Sequence, residues 1–576
     1  MRSILLFFVL SVGLFALPQA INEQIRKSGI SKKDISIYIK EAGARGKVVA
    51  SLNAEKTRSP ASVIKVLTTY AAVLKLGFNY RWQTKFYTTG RLKNGVLHGD
   101  LLIKGFGDPT LNSKDLTKIV SYIRAEGIRK VQGNIVIDRS YFKVGNRDSS
   151  GFDENPYSAY NAMPDAMMFN ERISTVCVTP NKKSVTKKHA DHSYTVVNNL
   201  QYVNKSCRGK YSWPRVKIDK STSTPKVIFH GKISKRCGKR NICKVLTKPY
   251  KSFYYALKEK MKEEGMSVSG HMKLQKIPQN ATELFTYYSD SLEKIISKTA
   301  KKSNNLYARQ LLLLLGAKTY GAPATLQKGR DAIVKILSSK GALGTGVLRL
   351  DNGSGLSRVA KMNAKLLATM YDHAYDKYGQ RWMNTLSIAG VDGTIKRRFR
   401  GTVVRNRAWM KTGTLRRVKN IGGYVKNRAG KRYTVVILVN STKAKYRGAK
   451  LQNEIIKWLV NGAAKPSVRS KSKMIVVPKA KKTKHTVVKR TTKSVKKRSV
   501  KKATSKQYYY VQIGSFKLKP SKKYLSKISK LGLPYKVEKT NIYKVLIGPY
   551  KKESTARKVL LKVKQKLNKS AFISKQ

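Results

Sequence analysis

Hydrophobic positions first follow a two-residue rhythm, at Ile35-Ser36-Ile37-Tyr38-Ile39 and Val48-Val49-Ala50-Ser51-Leu52, with glycines at 43 and 46 between them. That pattern predicts a hairpin, preceded by a short helix over 21–27. The rhythm then changes to a near-continuous apolar helix that opens at Ser59-Pro60 and stops at Gly77. Ser59 suits a cap and Pro60 a first helical position. From about 82 to 285 the pattern is one of short strands and turns, clearest at 101–109 and 133–138, and this block reads as an insertion. Helices are predicted again over 289–297, 304–315, 326–337 and 364–378. Strands follow at 408–412, 421–425 and 433–439, and a helix over 450–460 closes the domain. An antiparallel sheet assembled from both ends of this domain, set against a helical half, buries the apolar faces, so the fold class is α+β.

Beyond residue 462 the periodicity disappears. Residues 463–506 are a run of Lys, Arg, Ser, Thr and Val without an acid, too self-repelling to fold alone, and read as a basic disordered linker. Residues 507–576 are patterned again: a strand over 508–515, a helix over 521–531, a hairpin over 535–548, a helix over 553–567 and a last strand over 571–574.

The chain begins with Met1-Arg2-Ser3, an apolar run over 4–10 and small residues near Leu17-Pro18-Gln19-Ala20, the three regions of a secretory signal peptide occupying residues 1–20. Cleavage is expected after about Ala16 or Ala20, and the mature chain, whose first folded domain spans 21–462, is expected in the periplasm. Four cysteines, Cys177, Cys207, Cys237 and Cys243, fall within the insertion. In an oxidising compartment they suggest disulfides rather than a metal site. Sequence proximity alone favours Cys237 with Cys243 and Cys177 with Cys207. The formal charge of +90 would suggest nucleic acid in an intracellular chain. In an exported one it points to wall carboxylates, phosphates or anionic lipid, with the linker as a peripheral wall or membrane contact.

The chemistry sits at the start of the apolar helix. Ser62 and Lys65 are three residues apart and share one face of its first turn. A hydroxyl there has an amine in reach to take its proton, and N–H groups at the helix start can stabilise negative charge. The same Ser-x-x-Lys spacing recurs at Ser184/Lys187, Ser223/Lys226, Ser470/Lys473, Ser494/Lys497 and Ser499/Lys502. Only Ser62/Lys65 opens a long apolar helix, where packing can desolvate a lysine into a base.

Two further motifs corroborate it: Ser303-Asn304-Asn305 opens an apolar helix, and Lys411-Thr412-Gly413-Thr414 ends an apolar strand. The three, in this order, match the motif set of penicillin-binding proteins and serine β-lactamases. Gly105-Phe106-Gly107-Asp108-Pro109-Thr110-Leu111, Asp351-Asn352-Gly353-Ser354-Gly355-Leu356-Ser357-Arg358 and Ala389-Gly390-Val391-Asp392-Gly393-Thr394-Ile395 narrow the match. Residues 21–462 resemble the class C low-molecular-mass penicillin-binding proteins, the D-alanyl-D-alanine carboxypeptidase/endopeptidase family. The resemblance implies catalysis by Ser62, Lys65, Ser303, Asn305 and Lys411. It also implies substrate binding by Thr412, Gly413 and Thr414, inhibition by β-lactams, and no metal or cofactor. The family's acid for a stem-peptide amine has its nearest counterpart in Glu171. No residue corresponds to the deacylating glutamate of class A β-lactamases, so penicillin is expected to stay on Ser62.

In the tail, Tyr509-Tyr510-Val511-Gln512-Ile513-Gly514-Ser515-Phe516 and Tyr543-Lys544-Val545-Leu546-Ile547-Gly548-Pro549-Tyr550 resemble the SPOR domain, whose family binds denuded peptidoglycan glycan. Gln512, Ser515, Phe516 and Tyr543 are the candidates for the sugar-binding face. The export signal argues against nucleic acid. The alternatives are a catalytically silent peptidoglycan-binding protein and a β-lactamase; the intact motifs weigh against the first, and the insertion and missing glutamate against the second.

Overall fold

The computed structural model describes residues 17–462 without a break and, in the tail, 508–516, 520, 522–529, 531–539, 543–550, 553–567 and 571–575. The chain divides into two compact units, up to Arg469 and from Ser470. The expected signal segment as far as residue 16, and the expected linker over 463–506, lie outside the described residues.

The first unit opens with helix α1 (Gln19–Ser28), strands β1 (Ile35–Glu41) and β2 (Val48–Leu52), and helix α2 (Lys65–Leu76). A 3₁₀ turn over Ala61–Ile64 leads into α2, and no side chain caps it, so Ser59 does not play the expected role. The sheet anchors this turn instead. Asn420 Nδ2 donates to the carbonyls of Ser59 and Pro60, each at 2.9 Å, and Asn440 Oδ1 accepts from Ser59 N at 2.7 Å.

The insertion contains strands β3 (Arg81–Thr88) and β4 (Leu101–Gly105), helix α3 (Leu116–Ala125), and strands β5 (Ile135–Asp138), β6 (Ser174–Thr179), β7 (Thr195–Val203), β8 (Arg215–Asp219), β9 (Lys226–Ser234) and β10 (Arg240–Lys244). Helix α4 (Pro249–Glu263) and strands β11 (Met272–Leu274) and β12 (Thr282–Ser291) follow, and five other short strands lie between these elements. A five-stranded sheet in the order β11-β5-β4-β3-β12 packs against α3 and α4 through Ile119, Ile123, Phe253 and Leu257. The two helices were absent from the strand-and-turn expectation, although their buried positions recur at helical spacing. β12 also runs to Ser291, because its pairing with β3 continues as far as Ser291 opposite Arg81, so the helix expected from 289 begins at Leu292.

The cysteine pairing differs from expectation. Cys207 is bonded to Cys237, while Cys177 and Cys243 are free thiols. Cys177 and Cys243 lie on the paired strands β6 and β10, with Cys177 opposite Asn241 and Cys243 opposite Thr175. The bonded pair follows β7 and β9, which run parallel in register and therefore end side by side at Val203 and Ser234. Tertiary pairing, not sequence proximity, sets which sulfurs meet.

The back half supplies helices α5 (Leu292–Lys301), α6 (Asn305–Tyr320), α7 (Leu326–Ser339) and α8 (Ala364–Met383), strands β13 (Ser387–Ile388), β14 (Ala408–Leu415), β15 (Val418–Lys426) and β16 (Arg432–Asn440), and helix α9 (Ala449–Val460). β1 and β2 join these strands in an antiparallel sheet ordered β13-β14-β15-β16-β1-β2, assembled from both ends of the unit as the pattern implied. Alternation along β16 separates two cores: Val436 and Leu438 face the helical half, and Val435, Ile437 and Val439 face α1 and α9. α6 is the centre of the helical half. Leu311 to Leu315 are all fully buried, so this stretch of the helix is apolar all round, and each leucine contributes about 1.5–3 kcal/mol. The residues at its N-terminus are thereby fixed.

In the second unit, strands β17 (Tyr509–Phe516), β18 (Tyr535–Lys539), β19 (Tyr543–Tyr550) and β20 (Phe572–Lys575) form a sheet ordered β18-β19-β17-β20. Helices α10 (Lys522–Ser529) and α11 (Glu553–Lys566) contribute Ile528, Ala556 and Val563 to its core with Val511, Ile513, Val545 and Ile547.

Candidate active site

The three motifs converge where α2, α6 and β14 meet. Lys65 Nζ lies 2.8 Å from Ser62 Oγ and 2.6 Å from Asn305 Oδ1, and it also donates to the carbonyl of Ser354. Asn305 Nδ2 donates to the Tyr160 carbonyl at 3.0 Å, which fixes its oxygen toward the lysine. These contacts decide the chemistry. The Asn305 oxygen and Ser354 carbonyl only accept, so they take two N–H groups. A neutral amine then has one lone pair left, and its remaining neighbour is the Ser62 hydroxyl. The arrangement suits a lysine that removes the serine proton.

Electrostatics favours the neutral form. Lys65 is fully buried, and burial, followed by the charges of Lys411 and Arg309, holds its amine well below the ordinary lysine range. Lys411 is also fully buried, and burial pushes it down to about 7. Its Nζ donates to Ser303 Oγ at 2.8 Å and to the Thr412 carbonyl at 2.7 Å. Ser303 has a φ of +54°, a left-handed conformation just ahead of α6. Asn304 Oδ1 caps that helix by accepting from Tyr307 N.

Gly413 lets β14 approach the turn that carries Ser62. A Cβ there would lie 2.8 Å from the Pro60 carbonyl and 3.0 Å from Ser62 N. Gly355 has the same function on the opposite wall: its φ is +76°, and a Cβ would fall 2.0 Å from the Ala61 carbonyl. Thr412 Oγ1 donates to Thr394 Oγ1 at 2.8 Å, and exposed Thr414 accepts from Lys419 Nζ at 3.3 Å. Ser62 itself is only half-buried, so its hydroxyl is accessible while the Lys65 amine is not.

Glu171 comes to this site with both oxygens engaged. Oε1 accepts from Tyr307 OH at 2.8 Å and Oε2 from Asn304 Nδ2 at 3.0 Å. Asn170, Glu171 and Arg172 are consecutive left-handed residues, with φ of 46°, 53° and 57°. Each costs about 1–2 kcal/mol relative to ordinary backbone. Asn170 and Arg172 hold the turn from either side, through Ser113 and through Asp148 and the Met163 carbonyl.

Several contributors were not singled out from sequence. Ser354 acts through a backbone carbonyl, which no side-chain pattern reveals. Arg309, one turn beyond Asn305 on α6, is 1% exposed and donates to the carbonyl of Tyr160 at 3.4 Å and to that of Ala162 at 2.5 Å. Its i+4 spacing from Asn305 is the signal that could have found it. Asp153 accepts from Tyr160 OH and Asn161 Nδ2, placing a second acid on the segment that Asn305 holds. A cavity of about 810 Å³ beside α1 contains none of the motif residues.

In the tail, Gln512 stands opposite Leu546 and Phe572, Ser515 opposite Lys544, and Phe516 opposite Tyr543. The register brings all four sugar-face candidates onto the neighbouring strands β17 and β19.

A buried lysine thus stands between a serine and the second motif, beside an antiparallel sheet flanked by helices and interrupted by a long insertion. Residues 17–461 match the D-Ala-D-Ala carboxypeptidase 3 (S13) family, and the chain belongs to it. Residues 505–575 match the SPOR domain. The chain is 27% identical over 459 residues to the D-alanyl-D-alanine carboxypeptidase DacB of Haemophilus influenzae, an alignment covering 75% of this chain and 91% of that one. It is 26% identical over 400 residues to the D-alanyl-D-alanine carboxypeptidase of an Actinomadura species, covering 66% and 73%. The crystal structure of penicillin binding protein 4 from Haemophilus influenzae shares the fold, with a TM-score of 0.65 at 22% identity, covering 76% of this chain and 99% of that one.

Proposed function

We propose that the protein is an exported serine-type D-Ala-D-Ala carboxypeptidase, with endopeptidase capacity, that trims or uncrosslinks peptidoglycan. The observation that carries this reading is the contact of Lys65 Nζ with Ser62 Oγ at 2.8 Å while two pure acceptors occupy its other sides. Ser62 Oγ attacks the carbonyl between two D-alanines as Lys65 takes its proton. The N–H groups of Ser62 and Thr414 hold the oxyanion. Ser303, bonded to Lys411, passes a proton to the leaving amine, and the C–N bond breaks to give an acyl-enzyme that water hydrolyses. The Lys411 cation, with Thr412 and Thr414, receives the substrate's terminal carboxylate. A β-lactam follows the same first step and remains on Ser62.

Glu171 serves this site by positioning Asn304 and Tyr307 rather than by touching substrate. Processing after Ala16 fits α1 better than processing after Ala20. Asn22 Nδ2 donates to the Leu17 carbonyl, and the Pro18 carbonyl accepts from Ile21 N and Asn22 N. The SPOR domain, through Gln512, Ser515, Phe516 and Tyr543, concentrates the enzyme on denuded septal glycan.

The test is product analysis. A pentapeptide should lose free D-alanine and a crosslinked muropeptide should be split, both dependent on Ser62. Binding to denuded glycan with no turnover of either substrate would support the catalytically silent alternative.

A further inference from the structure

The insertion also carries a surface outside the catalytic machinery. Residues 195–244, built on β7, β8 and β9, contain nine lysines and four arginines against one acid, Asp219, a net charge of +12. One face of these strands is the lobe's core, with Val227, Phe229 and Ile233 buried. Alternate positions carry Arg215 opposite His230, and Lys232 opposite Gln201.

The loop between β7 and β8 holds a large aromatic ring out in solvent. Trp213 is 57% exposed, whereas Trp82 and Trp382 are fully buried, Trp409 is buried, and Trp458 packs against a core. The loop is braced. The Cys207–Cys237 disulfide joins its start to the turn after β9. Arg240 donates from its Nε to the Ser212 carbonyl at 3.1 Å and from its Nη2 to Cys207 Sγ at 3.1 Å, and its guanidinium lies 5.2 Å from the Trp213 ring. Arg208 and Lys210 precede Trp213 along the loop and Arg215 follows it, and the disulfide brings Arg236 and Lys239 to the same end of the lobe.

An indole with an apolar body and a polar N–H belongs where an apolar phase meets water. A rim of cations on a stretch that itself carries a single acid matches anionic headgroups. A soluble polyanion would use the cations but leave the ring without a partner. We propose that the Trp213 loop is a membrane-docking tip that inserts its indole into the headgroup region of a bilayer containing anionic phospholipid. The site is independent of the catalytic reading and of the linker.

The test uses the full chain with vesicles of phosphatidylcholine alone or mixed with phosphatidylglycerol, some carrying brominated acyl chains. Tryptophan emission should be quenched and blue-shifted by brominated anionic vesicles, and Trp213→Phe should remove both effects. Trp213→Ala should weaken vesicle binding roughly tenfold at salt where the Debye length is about 3 Å. Arg236→Glu with Lys239→Glu should weaken the quenching of tryptophan emission by brominated anionic vesicles. Thermal melts of each variant check the fold. Vesicle binding with unquenched emission would mean adsorption by overall charge and would overturn the proposal, as would no binding. Loss of cell-wall binding in Trp213→Ala with vesicle binding intact would assign the tip to a wall polymer instead.

Discussion

The amine of Lys65 lies 2.6 Å from the amide oxygen of Asn305, and the amide nitrogen of the same asparagine donates to the Tyr160 carbonyl. One side chain thus ties α2, the central helix and the insertion together at the Lys65 amine. Asn305→Leu should remove that acceptor and lower the acylation rate by roughly 10²–10³-fold. The measurement is the second-order rate of penicillin acylation.

The pH profile should be a bell. In the proposed mechanism Lys65 acts as the neutral amine, so activity should be lost as pH falls through its depressed pKa. In the same mechanism Lys411 acts as a cation, so kcat/KM should be lost as pH rises above about 7. Arg309 is among the charges that hold Lys65 down. Arg309→Met should therefore raise the Lys65 pKa and move the acid limb to higher pH, while Arg309→Lys should leave it in place. A purely structural residue would lower the rate without moving the limb.

Gly413→Ala would put a methyl group 2.8 Å from the Pro60 carbonyl and 3.0 Å from Ser62 N, forcing β14 away from the turn that carries Ser62. Acylation should fall by roughly 10²–10³-fold, with overpacking costing about 1–3 kcal/mol of stability. Steady-state kinetics beside a thermal melt separates the two.

Glu171→Gln distinguishes positioning from amine recognition. Both carboxylate oxygens accept from motif-two donors, so the variant should lose roughly tenfold in kcat/KM. The loss should be equal for stem peptides with a free and with an acetylated side-chain amine. A loss confined to the free amine would place Glu171 against the substrate.

Peptide mapping of unreduced protein should yield Cys207 linked to Cys237. Cys207→Ser should destabilise the insertion by about 3–4 kcal/mol, given the length of the loop closed. Cys177→Ser should leave that link intact.

Much of the architecture was legible because periodicity is a local property. The alternation of 35–39 and 433–439 and the apolar run from Val63 to Leu74 each appear as sheet and helix. The meeting of Ser62, Lys65, Ser303, Asn305 and Lys411 could be anticipated from three motifs, each placed at the end of an apolar element. What escaped was set by long-range structure. α3 and α4 lay among strands whose pairing the sequence does not specify, and the disulfide depends on β7 running parallel to β9. The Ser354 carbonyl is backbone, and Glu171 has partners more than a hundred residues away.

The most direct test is labelling of the mature protein with a fluorescent penicillin beside a Ser62→Ala variant. A stable covalent label on the wild type that disappears in the variant is the predicted result. Folded wild-type protein that takes no label, or a Ser62→Ala protein that still does, would contradict the assignment of Ser62 as the nucleophile.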